Sequence, residues 1–186
     1  GDVYKRQVYS GSVSQDQDIQ ENFYYSDFMY GKVVTPKTNN PVSIPMKHQL
    51  SMLTVELLNT DDLGGTPEGI VVSAYPEYWA DFVLDEVHFI NYEIKAIKAY
   101  NKGDSVFSVI LPAQDLSGEQ VVIVLSDGSK RQLDFTLQME RGVNHVLKVD
   151  CKDSEKLEVV VSEKIPWDET VDVNSGEYVE LSLIHI

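Results

Sequence analysis

The sequence predicts an all-β protein, an antiparallel β-sandwich built from several short strands. Apolar residues alternate with polar ones in several short segments, which is the period of a half-buried strand. Turn-forming residues separate these segments, and no segment has the period of a convincing amphipathic helix. Short strands divided by turns in this way are typical of a sandwich.

In the first half, the clearest strand is Met52 to Leu58, where three apolar residues alternate with polar ones and predict one buried face. Ile70 to Ala74 is a second strand candidate, after a loop that contains glycine and proline. A short strand is also expected at 32–35. Residues 8–20 and 75–84 show no regular pattern and are predicted to be irregular.

The second half contains a predicted hairpin. Apolar residues alternate over Val121 to Leu125 and again over Leu133 to Leu137, and Asp127-Gly128 lies between them. An Asp-Gly pair between two alternating segments is a strong hairpin signal, and it predicts a positive φ at Gly128. Further strands are predicted at 106–111, 146–149 and 157–161. Residues 93–100 fit either a helix or a strand, and a strand is favoured.

Composition excludes several classes of function. Thirty acidic and fifteen basic residues give a net charge of -15, which repels phosphate backbones, so nucleic acid is excluded as a partner. No apolar segment approaches the roughly 20 residues that a membrane-spanning helix needs. The one cysteine, Cys151, excludes an internal disulfide framework and a cysteine-based zinc cluster.

The residues with the chemistry for catalysis do not form a recognisable catalytic pattern. His48, His88 and His145 are far apart and lack metal-ligand spacing, so we interpret them as structural or surface residues. Cys151 lies beside Asp150, and also near Asp153, and acidic neighbours raise the pKa of a thiol, which makes it a poor nucleophile. No nucleophile elbow or phosphate-binding loop is present, so no catalytic residue is predicted.

No metal site or cofactor is predicted either. Residues 172–176 begin like a calcium loop, but Gly176 stands where a third Asp or Asn ligand is needed. We therefore interpret this and the other acidic segments as solvated loops. A hydrolase with dispersed carboxylates stays open as one hypothesis for the function, motivated only by the number of acidic residues.

One aromatic group has a candidate binding role. Tyr75, Tyr78 and Trp79 could form a platform on which a sugar stacks, although an aromatic packing cluster is the favoured interpretation.

The two ends of the chain have an unusual relation. Residues 2–7 can be encoded by GAT GTG TAT AAG AGA CAG, and residues 181–186 by CTG TCT CTT ATA CAC ATC. These two DNA strings are reverse complements and look like a transposase end used to prepare sequencing libraries. We therefore expect residues 1–7 and 181–186 to be adapter-like additions that flank a fragment, residues 8–180, of a longer protein.

Four segments in a fixed order resemble the fimbrillin family, the surface and pilus subunits of Gram-negative anaerobes of the Bacteroidales type. The segments are Ser26 to Lys32, Val42 to Leu57 with its His48-Gln49-Leu50-Ser51, Val106 to Gln114, and Ile165 to Trp167. Each motif is short, and the ordered set carries the resemblance, which covers about residues 22–180.

The resemblance implies a fold of two transthyretin-like β-sandwich domains. It assigns residues 8–92 to the C-terminal remnant of a truncated first domain and residues 93–180 to the second domain. It also implies export as a lipoprotein to the outer membrane and the cell surface. The only membrane attachment would be a lipid anchor on N-terminal sequence that this fragment lacks.

The same resemblance implies a non-enzymatic structural or adhesive subunit of a fimbria, at its stalk, tip or anchor. In polymerising members of this family, a strand of one subunit completes the sheet of its neighbour, and Val171, Val173 and Val179 are candidate contacts for this exchange. The alternative is that these residues close the sheet of their own subunit or extend freely from it. Partners would be other fimbrial subunits, in a homo- or hetero-polymer, and surface receptors or glycans. The alternative function is a carbohydrate-binding surface lipoprotein on the same sandwich, with the three aromatic residues as its platform.

Overall fold

The structure is a computed structural model that describes residues 8–34 and 41–167. Short strands dominate it, and the prediction of an all-β fold is confirmed. One short helix, α1 (Gln20–Tyr25), and two 3-10 turns, Thr60–Leu63 and Gly118–Gln120, lie between strands. The strands in chain order are β1 (Val8–Ser12), β2 (Met29–Tyr30), β3 (Lys47–His48), β4 (Ser51–Leu58), β5 (Pro67–Ala74), β6 (Glu77–Asp81), β7 (Glu86–Phe89), β8 (Lys95–Lys98), β9 (Tyr100–Gly103), β10 (Val106–Leu111), β11 (Asp115–Ser117), β12 (Val121–Leu125), β13 (Lys130–Gln132), β14 (Thr136–Gln138), β15 (Val143–Asp150) and β16 (Glu158–Pro166).

Two larger sheets form the body of the fold. One has the order β16-β15-β4-β10-β9 and the other has the order β13-β12-β5-β8. Alternating apolar residues from both sheets pack into one hydrophobic core, among them Leu53, Val55, Phe107, Ile70, Val72 and Ile123. A three-stranded sheet β1-β6-β7 and two ribbons, β2-β3 and β11-β14, complete the described part of the chain.

Strand β4 lies at the centre of the five-stranded sheet and differs from its prediction in two ways. It pairs antiparallel with β10 but parallel with β15, so the sheet is not purely antiparallel. Its predicted polar face is also buried at Thr54, which is only 5% exposed, whereas Glu56 on the same face is half-buried. The Thr54 hydroxyl lies 2.8 Å from Ser108 Oγ and donates to Asn144 Oδ1 at 2.9 Å. These neighbours on β10 and β15 satisfy the hydroxyl without water, which permits its burial.

The hairpin turn is confirmed, but its second strand is β13, which begins directly after the turn and ends before the predicted segment Leu133 to Leu137. Strands β12 and β13 pair antiparallel, and Gly128 in the turn has a φ of 81°. Residues 133–135 are not a strand, because the 3-10 turn at Gly118 contacts them, and Gly118 N–H donates to Phe135 O at 2.8 Å. Strand β14 then pairs with β11 instead of continuing the hairpin.

Three local predictions were wrong. Residues predicted to be irregular form β1 and β6, which pair with each other, and Gly11 of β1 is needed there because a Cβ would lie 2.6 Å from the Tyr78 hydroxyl. The pairing of β1 with β6 depends on tertiary contacts, so no local sequence pattern predicts it. The strand expected at 32–35 is absent from its described part, 32–34, and the chain pairs earlier, at β2.

Strands from both sides of residue 92 share both large sheets. Strand β4 pairs with β10 and β15, and β5 pairs with β8 and β12. The described residues before and after position 92 are therefore not independent units. The assignment of 8–92 and 93–180 to two domains of a longer protein stays a prediction.

Candidate functional site

Three residues from separate motifs meet at one end of the five-stranded sheet: Asp27, His48 and Trp167. We call them the closing cluster. His48 Nδ1 lies 2.8 Å from Asp27 Oδ1, and the imidazole stacks on the Trp167 indole with ring centroids 3.7 Å apart. The pairing of Met29 with His48 in the β2-β3 ribbon brings this carboxylate to the histidine. The ordered motifs of the sequence therefore converge in space.

A turn beside the closing cluster ties the start of β4 to the end of β16. Gly142 has a φ of 72°, and its N–H donates to Leu50 O at 2.8 Å. Its carbonyl accepts the Trp167 N–H at 2.9 Å. The Ser51 hydroxyl donates to Glu140 O at 2.8 Å. These contacts hold main chain in place, which is a structural role.

His145 lies under the same turn and is 1% exposed. Its Nε2 accepts the Glu140 N–H at 2.9 Å, while its Nδ1 is buried without a hydrogen-bond partner among the residues that the structure describes. Burial lowers the pKa of His145, although the Glu140 carboxylate opposes this shift. His88, by contrast, lies at the surface, 3.4 Å from Glu86 Oε2. Both placements fit structural or surface histidines.

Cys151 is buried in the core, and its pKa is raised to about 11 by burial first and by the Asp150 charge second. The predicted direction is confirmed, and burial contributes more than the acidic neighbour. A thiol with so high a pKa is a poor nucleophile. Within 8–34 and 41–167, no group of three or more His, Cys, Asp or Glu residues is arranged to hold a metal ion. The calcium-like segment 172–176 lies outside the described residues.

The three predicted platform aromatics do not share one surface. Tyr78 is 3% exposed and packs against the rings of Tyr9 and Phe28, so its ring is not available as a stacking surface. Tyr75 is half-buried and stacks on Phe89, whereas Trp79 contacts His88. Alternation along the strand explains the separation of Tyr78 from Trp79, since successive side chains point to opposite faces.

The longest strand at a sheet edge is β16. It pairs with β15 on one side, and no strand in the described part of the chain pairs with its other side. It has nine residues, and none of them is buried. The candidate strand-exchange residues Val171, Val173 and Val179 follow it in sequence but lie outside the described residues.

A family model described as fimbrillin-like matches residues 2–167. The chain belongs to the fimbrillin-like family. The resemblance inferred from the four ordered segments is confirmed. A search of the curated proteins gives no significant match. None of the helices in the described ranges is long and apolar enough to cross a membrane.

Solved structures of similar fold come from Bacteroides species. A candidate cell adhesion protein of Bacteroides uniformis has a TM-score of 0.67 and 16% identity, covering 88% of this chain and 68% of that one. One from Bacteroides ovatus has a TM-score of 0.63 and 16% identity, with 88% of this chain and 62% of that one covered. One from Bacteroides thetaiotaomicron has a TM-score of 0.56 and 11% identity, with 86% and 63% covered. At these identities the likeness shows the fold, and the chain spans about two thirds of each structure.

Sequence reasoning missed the contacts within the closing cluster and the contact between Tyr75 and Phe89. The motif residues were visible in order, but nothing in their spacing showed that Asp27 and Trp167 would contact the same histidine. Phe89 was missed because it is a single aromatic residue in a short strand. Only the structure shows that Phe89 stacks on Tyr75.

Proposed function

We propose that this chain is a non-enzymatic surface subunit of a fimbria that joins its neighbours by strand addition. Membership of the fimbrillin-like family supports the general role. The free side of β16 is the observation that carries the mechanism, because an unpaired strand edge offers a row of main-chain donors and acceptors to a second strand.

Strand β16 differs from the other edges in length. Edge strands β1, β7, β8, β9 and β13 have three to five residues, whereas β16 has nine. Proteins commonly keep exposed edges short, so a long edge is a ready template for pairing. Val160 is 47% exposed and Ile165 is 45% exposed, so apolar area is available beside the edge. We propose that an incoming strand covers this area.

The donor strand would come from a neighbouring subunit, either another copy of this chain or a different fimbrial subunit. We propose that Val171, Val173 and Val179, which follow β16 in the sequence, contact the neighbour. The stalk, the tip and the anchor are alternative positions for the subunit in the fimbria.

The proposed location is the outer surface of the cell. A lipid anchor at the N-terminus of a longer protein would attach the subunit to the outer membrane, as the family resemblance implies. The high pKa of the Cys151 thiol disfavours this residue as a thiolate nucleophile.

The test is assembly of the complete protein, expressed with an epitope on the surface of a Bacteroides host. A lysine within an edge strand opposes pairing, so Val160→Lys, at the bulge in β16, should reduce the ladder of detergent-resistant polymers several-fold. Val83→Lys is the matched control, since Val83 is 65% exposed in the turn between β6 and β7. An unaltered ladder in Val160→Lys, or no surface polymer from the unmodified protein, would overturn the proposal.

A further inference from the structure

The ribbon β11-β14 presents a row of polar side chains on one face. Asp115 lies directly opposite Gln138, and Ser117 lies opposite Thr136, so all four side chains share this face. Leu116, on the other face, is 3% exposed and packs into the core, which fixes the orientation of the ribbon. Asp115, Thr136 and Gln138 are exposed, and their side chains have no hydrogen-bond partner among the described residues.

An aromatic pair stands at the end of this row. The rings of Tyr75 and Phe89 stack with centroids 5.4 Å apart and an interplanar angle of 18°, and Phe89 is 37% exposed. The side chain of Gln114, itself 5% exposed, fixes the main chain of Tyr75. It accepts the Tyr75 N–H at 3.0 Å and donates to the Tyr75 carbonyl at 2.9 Å. The main chain that carries one ring of the aromatic pair is therefore held in position before a ligand binds.

The polar row and the aromatic pair line two adjoining depressions, which together we call the groove. The depressions have volumes of about 490 Å³ and about 520 Å³ and share Asp115, Gln120 and Gln138. Each volume falls in the range of about 300–1,000 Å³ that is usual for small-molecule sites. Among its lining residues in the described part of the chain, none is cationic, and Asp115 is the one charged residue. The groove therefore disfavours anionic ligands.

We propose that this groove binds a neutral sugar. A pyranose has an apolar face that can lie against the Tyr75-Phe89 pair, and hydroxyls that can donate to Asp115 and exchange hydrogen bonds with the Gln138 amide. A sugar site would give the proposed surface subunit a ligand. The biological role of the site rests on that proposed function, whereas sugar binding itself does not depend on assembly. An extended peptide is the competing occupant, but it would use main-chain groups of the ribbon rather than these side chains.

The experiment uses the whole purified chain on an array of neutral oligosaccharides and their sialylated counterparts, followed by calorimetric titration with the strongest neutral binder. Phe89→Ala and Gln138→Ala should each weaken binding at least tenfold. Tyr25→Ala is the matched control, because Tyr25 is 61% exposed on α1, outside the groove lining. It should leave the affinity unchanged.

Asp115→Asn separates loss of binding from loss of folding, because it removes the charge of an exposed side chain and keeps its size. It should also weaken binding, with an unchanged melting temperature. The proposal is overturned if the folded chain binds no neutral glycan, if it prefers the sialylated forms, or if Gln138→Ala and Asp115→Asn bind as tightly as the unmodified chain. A protein that forms surface polymers but binds no sugar would refute this inference and leave the proposed assembly intact.

Discussion

Strands β4 and β16 belong to the same sheet and yet have opposite environments. Strand β4 is paired on both sides, and six of its eight residues are buried. Strand β16 is paired with β15 only, and none of its nine residues is buried. The first strand organises the core, whereas the second leaves one row of main-chain groups available. On the proposed mechanism, the strand that builds the core and the strand that receives a neighbour are therefore different.

The largest expected effect comes from truncating the central strand. Leu53 is 1% exposed, so Leu53→Ala should lower the free energy of unfolding by about 3–5 kcal/mol. Val160→Ala on β16 should change it by less than about 0.5 kcal/mol, because Val160 is 47% exposed. Urea denaturation of both variants measures the contrast. Similar losses would show that β16 contributes as much to stability as β4.

Steric fit at a glycine gives the next largest effect. A Cβ on Gly118 would overlap the Leu133 carbonyl oxygen, so Gly118→Ala must displace main chain and should cost about 2–3 kcal/mol. Gly69 in β5 is the control, since a Cβ there has no atom within 4 Å. Thermal melting should show a lower midpoint for the first variant only. A normal midpoint for Gly118→Ala would refute the close approach of residues 118 and 133.

Backbone conformation at the hairpin gives a smaller effect. Gly128 has a φ of 81° but open space around a Cβ, so Gly128→Val should be strained by about 1–2 kcal/mol through conformation alone. Gly128→Asn should lose less, because asparagine tolerates positive φ better. Equal free energies of unfolding for Gly128→Val and Gly128→Asn, measured by chemical denaturation, would contradict the turn geometry.

The pH dependence of stability gives the smallest effect, and it comes from His145 near the start of β15. Burial lowers the folded-state pKa of His145 below its usual 6.5, with Glu140 opposing and Lys164 reinforcing the shift. The unfolded chain therefore takes up the proton first as pH falls. This contribution to stability is complete above pH 6.5 and is lost as pH falls through the lowered folded-state pKa. Unfolding should thus become easier in acid.

The variant His145→Gln should flatten that acid loss, measured by urea denaturation across the range. His88→Gln is the control and should leave the pH profile as it is, because the His88 side chain is 53% exposed. An unchanged profile in His145→Gln would show that another group causes the acid sensitivity.

The sequence predicted what local periodicity encodes. The alternation around Leu53 and Ile123 gave strands that the structure contains, and Asp127-Gly128 gave the turn. It did not predict the pairing of β1 with β6, or the burial of Thr54, because both depend on neighbours far away in sequence. The same limit applies to the sites, since Phe89 and the free side of β16 acquire meaning only from tertiary position.

The most direct test of the account is amide hydrogen exchange on the subunit before and after assembly into surface polymers. Strand addition predicts that amides of β16 gain protection on assembly, while those of β4, already paired on both sides, stay as they were. A gain of protection elsewhere with none in β16 would contradict the proposed mechanism.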